Sequence, residues 1–116
     1  MAGAEVGRYV LEERNGRLIL SYYGEGGRVQ VASTDVRHRH WLAAAGVKGE
    51  VPATLADIDE VAKLFIALRL LPYARSGRAV ADALREMSDF ELHYWYYAIL
   101  RHGMRAVGAM KKLYRI

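Results

Sequence analysis

Tyr9-Val10-Leu11-Glu12-Glu13-Arg14-Asn15-Gly16-Arg17-Leu18-Ile19-Leu20-Ser21-Tyr22 is the stretch that decides the fold of this 116-residue chain. Asn15-Gly16 is a two-residue connection whose side chains tolerate positive backbone angles, which suits a type I′ turn between antiparallel strands. With Arg14 and Arg17 flanking the turn, Glu13 faces Leu18, Leu11 faces Leu20 and Tyr9 faces Tyr22. Side chains alternate across a strand, so Tyr9, Leu11, Leu18, Leu20 and Tyr22 share one face. Turn chemistry and hydrophobic alternation lead independently to the same register.

Downstream, the glycine-rich turn Gly24-Glu25-Gly26-Gly27 leads into Arg28-Val29-Gln30-Val31-Ala32-Ser33, where Val29 and Val31 are expected to extend that apolar face. Three strands from about Val6 to Ser33 then form an antiparallel meander. The hydrophobic period changes after Ser33. Thr34 or Asp35 can cap a short helix through about Ala45, with Gly46 in the left-handed position beyond it. Pro52 precedes Thr54-Leu55-Ala56-Asp57, which reads as a capping-box-like start. Ile58, Val61, Ala62, Phe65, Leu68 and Leu71 follow at helical spacing up to Pro72. Leu64, Ile66 and Leu70 lie outside that stripe, so this helix is expected to be central and covered on more than one side.

Arg78 to Met87 reads as a further helix with Arg78 and Asp82 paired one turn apart. Ser88 and Glu91 make the strongest capping box in the chain. The helix they open could reach Leu113, with a seam of Leu92, Tyr96, Ile99, Gly103, Ala106, Met110 and Leu113, or break or kink at Gly103. The expected fold is a single α+β domain, an N-terminal three-stranded antiparallel meander packed on a mostly helical C-terminal part. Its strand layer covers about residues 6–33 and its helical layer about 35–113.

Composition narrows function by exclusion. One ordinary domain fits this length, and 53% hydrophobic against 26% charged residues disfavours disorder. Cysteine is absent, which removes disulfides, thiolate metal sites and cysteine nucleophiles together. No apolar run reaches the roughly 20 residues needed to span a bilayer. The segment Met1-Ala2-Gly3-Ala4-Glu5 lacks the basic and apolar parts of a signal peptide, so a cytoplasmic location and no membrane contact are expected. Thirteen arginines against four lysines, with Asn15 and Gln30 as the only side-chain amides, fit a prokaryotic, heat-adapted source, although GC-rich coding gives similar usage.

The charge is local. Arg101, Arg105, Lys111, Lys112 and Arg115 stand in the last sixteen residues with no acid, whereas the first hundred residues hold twelve cations against thirteen acids. Tyr94, Trp95, Tyr96 and Tyr97 immediately precede them. On one continuous helix Tyr94, Tyr97, Arg101, Arg105, Gly108, Lys112 and Arg115 would line a single face, where cations neutralise phosphates and tyrosine rings stack on unpaired bases. The ordinary reading of the same residues is dipole stabilisation at a helix C-terminus and tyrosines packed beside a core.

Weaker constellations are Arg37, Arg39 and Trp41, a secondary contact surface, and Arg75, Ser76, Gly77 and Arg78, a candidate anion cradle at a helix start. Within Arg37-His38-Arg39-His40-Trp41, a helix points His38 and His40 about 200° apart, which disfavours a shared metal. Asp57, Asp59 and Glu60 read as first-turn acids. None of the four serines has a nucleophile-elbow context, so no enzyme, cofactor or metal is expected. The leading expectation is a non-enzymatic accessory protein that binds nucleic acid through its basic, aromatic-flanked C-terminal helix. The alternative is a protein-interaction subunit, self-associating or part of a larger complex, with the small-residue seam or the strand face bearing Val10 and Ile19 as its contact.

Overall fold

A computed structural model describes residues 7–47, 53–55 and 57–116. Val6, the N-terminal Met1 to Glu5 stretch, Pro52 and Ala56, all used above, lie outside the described residues. Strands β1 (Arg8–Arg14) and β2 (Arg17–Gly24) meet at Asn15 and Gly16, whose φ values of 53° and 75° are those of the type I′ turn. Their register pairs Glu13 with Leu18, Leu11 with Leu20 and Tyr9 with Tyr22, as the alternation requires. Leu11, Leu18 and Leu20 are fully buried, while Tyr9 and Tyr22 close the far end of the face with their rings 5.1 Å apart.

Strand β3 (Gly27–Asp35) completes the meander but departs from simple alternation. Tyr22 pairs with Val29 and Leu20 with Ala32, so β3 carries an extra residue between them, a β-bulge. The bulge puts Ala32 and Thr34, not Val31, opposite Leu20 and Leu18. Both are buried, whereas Val31 sits at the margin of the core and Val29 is exposed.

A fourth strand corrects the expected three-stranded layer. Ala53–Leu55 (β4) pairs antiparallel with β1, with Tyr9 opposite Leu55, giving the order β3-β2-β1-β4. Residues 54 and 55 therefore belong to the sheet, and helix α2 (Ile58–Leu70) is capped by Asp57, whose side chain accepts from the Asp59 N–H. Burial of Leu55 against the core outweighs the capping signal of Thr54.

The helix expected from Asp35 is also shorter. β3 continues to Asp35, the Val36 N–H bonds the Gly16 carbonyl, a 3-10 turn covers Val36–His38, and α1 spans only Arg39–Ala44. Gly46 takes φ 80° and ends it as expected.

Helix α2 is the centre of the molecule. Ala62, Leu64, Ile66, Leu68 and Leu70 are fully buried on several sides of it, while Ile58 in its first turn is exposed. The sheet lies on one side and α4 (Asp89–His102) on another, with Phe65 meeting Tyr96 edge to face at 5.3 Å. A 3-10 turn, Leu71–Tyr73, contains Pro72 and closes α2. Helix α3 (Gly77–Glu86) follows, with Ser76 as its N-cap; Asp82 pairs with Arg85 rather than with Arg78. Among the described residues no helix is long and apolar enough to cross a membrane.

Gly103 divides the last helix. Its φ of 59° and ψ of −128° end α4, and α5 (Met104–Leu113) starts on the next residue. A Cβ on Gly103 would meet nothing within 4 Å, so only the backbone conformation requires glycine there. Gly103→Ala is expected to cost about 1 to 3 kcal/mol in urea denaturation. Gly108→Ala, inside α5, also in open space and without a positive φ, is expected to stabilise by about 1 kcal/mol. Equal effects at the two sites would contradict the break at Gly103.

Candidate nucleic-acid interface

Helix α4 starts at the Ser88–Glu91 box, in which the Ser88 hydroxyl accepts from the Glu91 N–H and the Glu91 carboxylate accepts from the Ser88 N–H, both at 3.2 Å. The other carboxylate oxygen of Glu91 accepts from the Tyr114 hydroxyl at 2.7 Å, and that hydroxyl accepts from the Trp95 indole at 2.9 Å. The Tyr114 hydrogen bond, with the Ser88 backbone bond behind it, holds the Glu91 carboxyl below its ordinary range. Tyr114 lies just past α5 and Glu91 in the first turn of α4, so α5 runs back antiparallel along α4.

This reversal dismantles the single basic face that a continuous helix would present. The expected line from Tyr94 to Arg115 divides into a Tyr94, Tyr97 and Arg101 portion on α4 and an Arg105 and Lys112 portion on the outer side of α5. Leu113, the last member of the expected seam, is exposed, whereas Leu92, Tyr96, Ile99, Ala106 and Met110 are buried. Tyr96 turns inward against α2, and burial, with the Tyr9 hydroxyl beside it, pushes its phenol up to about 12.

Along the outer side of α4, Phe90, Tyr94, Tyr97 and Arg101 recur at spacings of four, three and four, which places them one above another. Phe90 is 80% exposed, Tyr94 58% and Tyr97 63%. With His93 and Leu100 they line an open groove of about 720 Å³. The His93 imidazole contacts the Asp59 carboxylate at 2.5 Å and so ties the groove's edge to the start of α2.

None of Arg101, Arg105, Lys111, Lys112 and Arg115 forms an ion pair among the described residues. Arg101, Arg105, Lys112 and Arg115 are exposed and Lys111 is half-buried. Arg115 differs from the others in its surroundings. It stands at φ 56° in a Schellman-type end to α5, where the Ile116 N–H bonds the Lys111 carbonyl and the Ile116 side chain is buried. Beside it Arg75, Asp82 and Glu86 line a cleft of about 260 Å³.

Compared with family models, curated proteins and solved structures, the chain matches none. What its residues do therefore rests on their own geometry.

Most of the secondary candidates are engaged within the molecule. Arg37 makes a two-pronged contact with Asp35, at 3.0 and 3.1 Å, and Arg39 pairs with Glu13. The Arg37 guanidinium holds the Asp35 carboxyl down to about 2. Trp41 packs on Gly77, where a Cβ would fall 2.2 Å from the indole ring, so glycine is needed for that approach. Around the supposed anion cradle, the Ser76 hydroxyl accepts from the Ala79 N–H at 3.1 Å, and Arg75 is turned toward the chain's last carbonyls. Its N–H bonds the Ile116 carbonyl and its Nε bonds the Arg115 carbonyl at 2.9 Å. Arg75, Ser76 and Gly77 are thus engaged by the chain's last carbonyls, the helix cap and Trp41 respectively, while Arg78 is exposed.

All four serines have hydrogen-bonding work: Ser76 and Ser88 cap helices, Ser21 accepts from Arg28, and Ser33 accepts from Arg17. His38 sits against the Thr34 hydroxyl at 2.7 Å, and its burial lowers the imidazole pKa. Among the described residues, no three His, Asp or Glu side chains gather as a metal site would need.

Phe90 and Leu100 were not singled out by sequence reasoning, and His93 was weighed only as a metal partner of His102, nine residues on and on the opposite side of a helix. The spacing of Phe90 carried a signal, because it falls on the side of the helix away from the Leu92, Tyr96 and Ile99 seam, but exposed and buried aromatics look alike until the neighbouring helices are placed.

Proposed function

We propose that the protein is a non-catalytic accessory module that binds single-stranded nucleic acid over the outer sides of α4 and α5. The observation that carries this reading is the coincidence of exposed Tyr94 and Tyr97 rings with tail cations that have no ion-pair partner among the described residues. Rings at successive helical turns offer stacking surface to unpaired bases, and Arg101, Arg105 and Lys112 offer charge to the connecting phosphates. Duplex is less suited, since its bases are already stacked. Such a role belongs in the cytoplasm.

Fluorescence anisotropy with labelled oligothymidylate and oligouridylate at low ionic strength tests it. Stacking contributes about 1 to 3 kcal/mol per base, so Tyr94→Ala with Tyr97→Ala should weaken binding roughly tenfold or more. Absence of binding by the parent protein, or an unchanged affinity in the double variant whose circular dichroism is intact, removes the reading.

A second reading has its own support. Phe90 and Leu100 add apolar surface that a polyanion does not require, and exposed stripes of this kind are common at protein contacts. A protein partner or a second copy of the chain on α4 would use them. Growth of the scattering mass with concentration, abolished by Phe90→Ser and insensitive to salt, favours this reading over the first.

A further inference from the structure

Strand β3 is the outer strand of the sheet, so the main-chain groups on its far side have no strand partner. A cleft of about 380 Å³ runs beside the middle of β3, between that strand and the end of α2. Val31, Leu68, Tyr73 and Met104 give it apolar walls, and Arg17 and Arg69 give it charge. Arg17 extends from β2 onto β3, its Nε donating to the Ser33 hydroxyl at 2.7 Å. Arg69 lies over the Phe65 ring at 6.0 Å. Neither guanidinium has an ion pair among the described residues, and no acid lines the cleft.

We propose that this cleft takes a short, extended, acidic segment of another protein, which pairs with β3 as an added strand. Strand addition needs a free edge for main-chain hydrogen bonds and room for side chains beside it, here the outer edge of β3 and the single cleft along it. One apolar side chain of the segment packs against the exposed Tyr73 and Met104, and a carboxylate beside it meets Arg17 or Arg69. Charge selects the occupant. A second copy of this chain would bring to the pairing the same Arg17 and Arg69 and no acid in its cleft, so it supplies no carboxylate partner, which disfavours it. Nucleic acid has no alternating amide and carbonyl row to complete a ladder. The bulge at Val31 interrupts the edge, so the segment paired on either side of it is short.

Octapeptides selected on the folded protein from a random displayed library test the proposal, with amide shifts followed by NMR. The selected peptides should place Asp or Glu next to Val, Ile or Leu, and should shift the amides of β3 and the end of α2. Methylation of alternate peptide nitrogens should abolish binding, because it removes the ladder donors while keeping the side chains. Arg17→Gln with Arg69→Gln should weaken binding about tenfold or more, the scale of a lost charge-assisted hydrogen bond. Selection of no peptide or of basic peptides, tolerance of methylation in the parent protein, or shifts confined to α4 would each overturn it. So would shifts of the β3 amides by oligothymidylate in place of peptide. Arg17 and Arg69 play no part in the α4–α5 reading, so either proposal can fail alone.

Discussion

Leu64→Ala is expected to lower the free energy of unfolding by about 2 to 5 kcal/mol, a large fraction of the roughly 5 to 15 kcal/mol that holds a domain of this size together. Leu64 is fully buried in α2, and α2 has core on several sides, so the surrounding side chains have little freedom to close the space left behind. The loss therefore combines the transfer of the removed atoms to water with an unfilled cavity. Urea denaturation should show a lower midpoint with an unchanged slope. Ile58→Ala is the internal comparison, since the exposed first turn of the same helix should tolerate it within about 0.5 kcal/mol. Similar values for the two variants would contradict the central position of α2.

The second large effect concerns the tail. Replacing Arg101, Arg105, Lys111, Lys112 and Arg115 by glutamine should bring oligothymidylate binding at low ionic strength close to background. The parent protein should lose affinity steeply as salt rises. Each cation that displaces a counterion from a single strand contributes about 0.7 to the slope of log affinity against log salt. Lys111 is half-buried and Arg115 stands near Asp82 and Glu86, so they are poorly placed for phosphate. Glutamine at Arg101, Arg105 and Lys112 alone should then remove a slope of about 2 and most of the binding. A triple variant that binds as tightly as the parent would refute the proposed interface. A loss appearing only when Lys111 and Arg115 are also changed would relocate it to the end of α5.

The hairpin was legible in full, down to its register. Asn15-Gly16 sets the turn and the alternation of Tyr9, Leu11, Leu18, Leu20 and Tyr22 sets the buried face, so two local signals agree without reference to anything distant. The Ser88–Glu91 box was legible for the same reason, being closed within a few residues, whereas Asp57 was read as a first-turn acid and is in fact the cap of α2. Thr54-Leu55 was misread because its local preference favours a helix start, whereas pairing with β1 depends on residues more than forty positions away. Val31 was misplaced because nothing in a pattern of alternating residues announces a bulge. Gly103 could be recognised as a weak point in a helix, but its positive φ and the resulting return of α5 along α4 depend on Tyr114 meeting Trp95 and Glu91.

The candidate sites divide in the same way. Sequence clustering identified the tail cations and Tyr94 and Tyr97, but spacing along a supposed continuous helix could not say which cations would share a surface. The groove beside β3 had no linear signature at all, since Arg17, Val31, Leu68, Arg69, Tyr73 and Met104 come from four separate parts of the chain.

Taken alone, then, the order of residues determined the α+β class, the hairpin, the start of α4 and the concentration of positive charge at one end. These depend on interactions a few residues long, whose free energies are present in any compact state of the chain. Packing decided the fourth strand, the bulged third strand, the reversal at Gly103 and the partition of the aromatics into buried Tyr96 and exposed Tyr94 and Tyr97. Those outcomes turn on how much apolar surface distant segments can bury against one another, and that area exists only once α2 has collected the sheet and the helical hairpin around it.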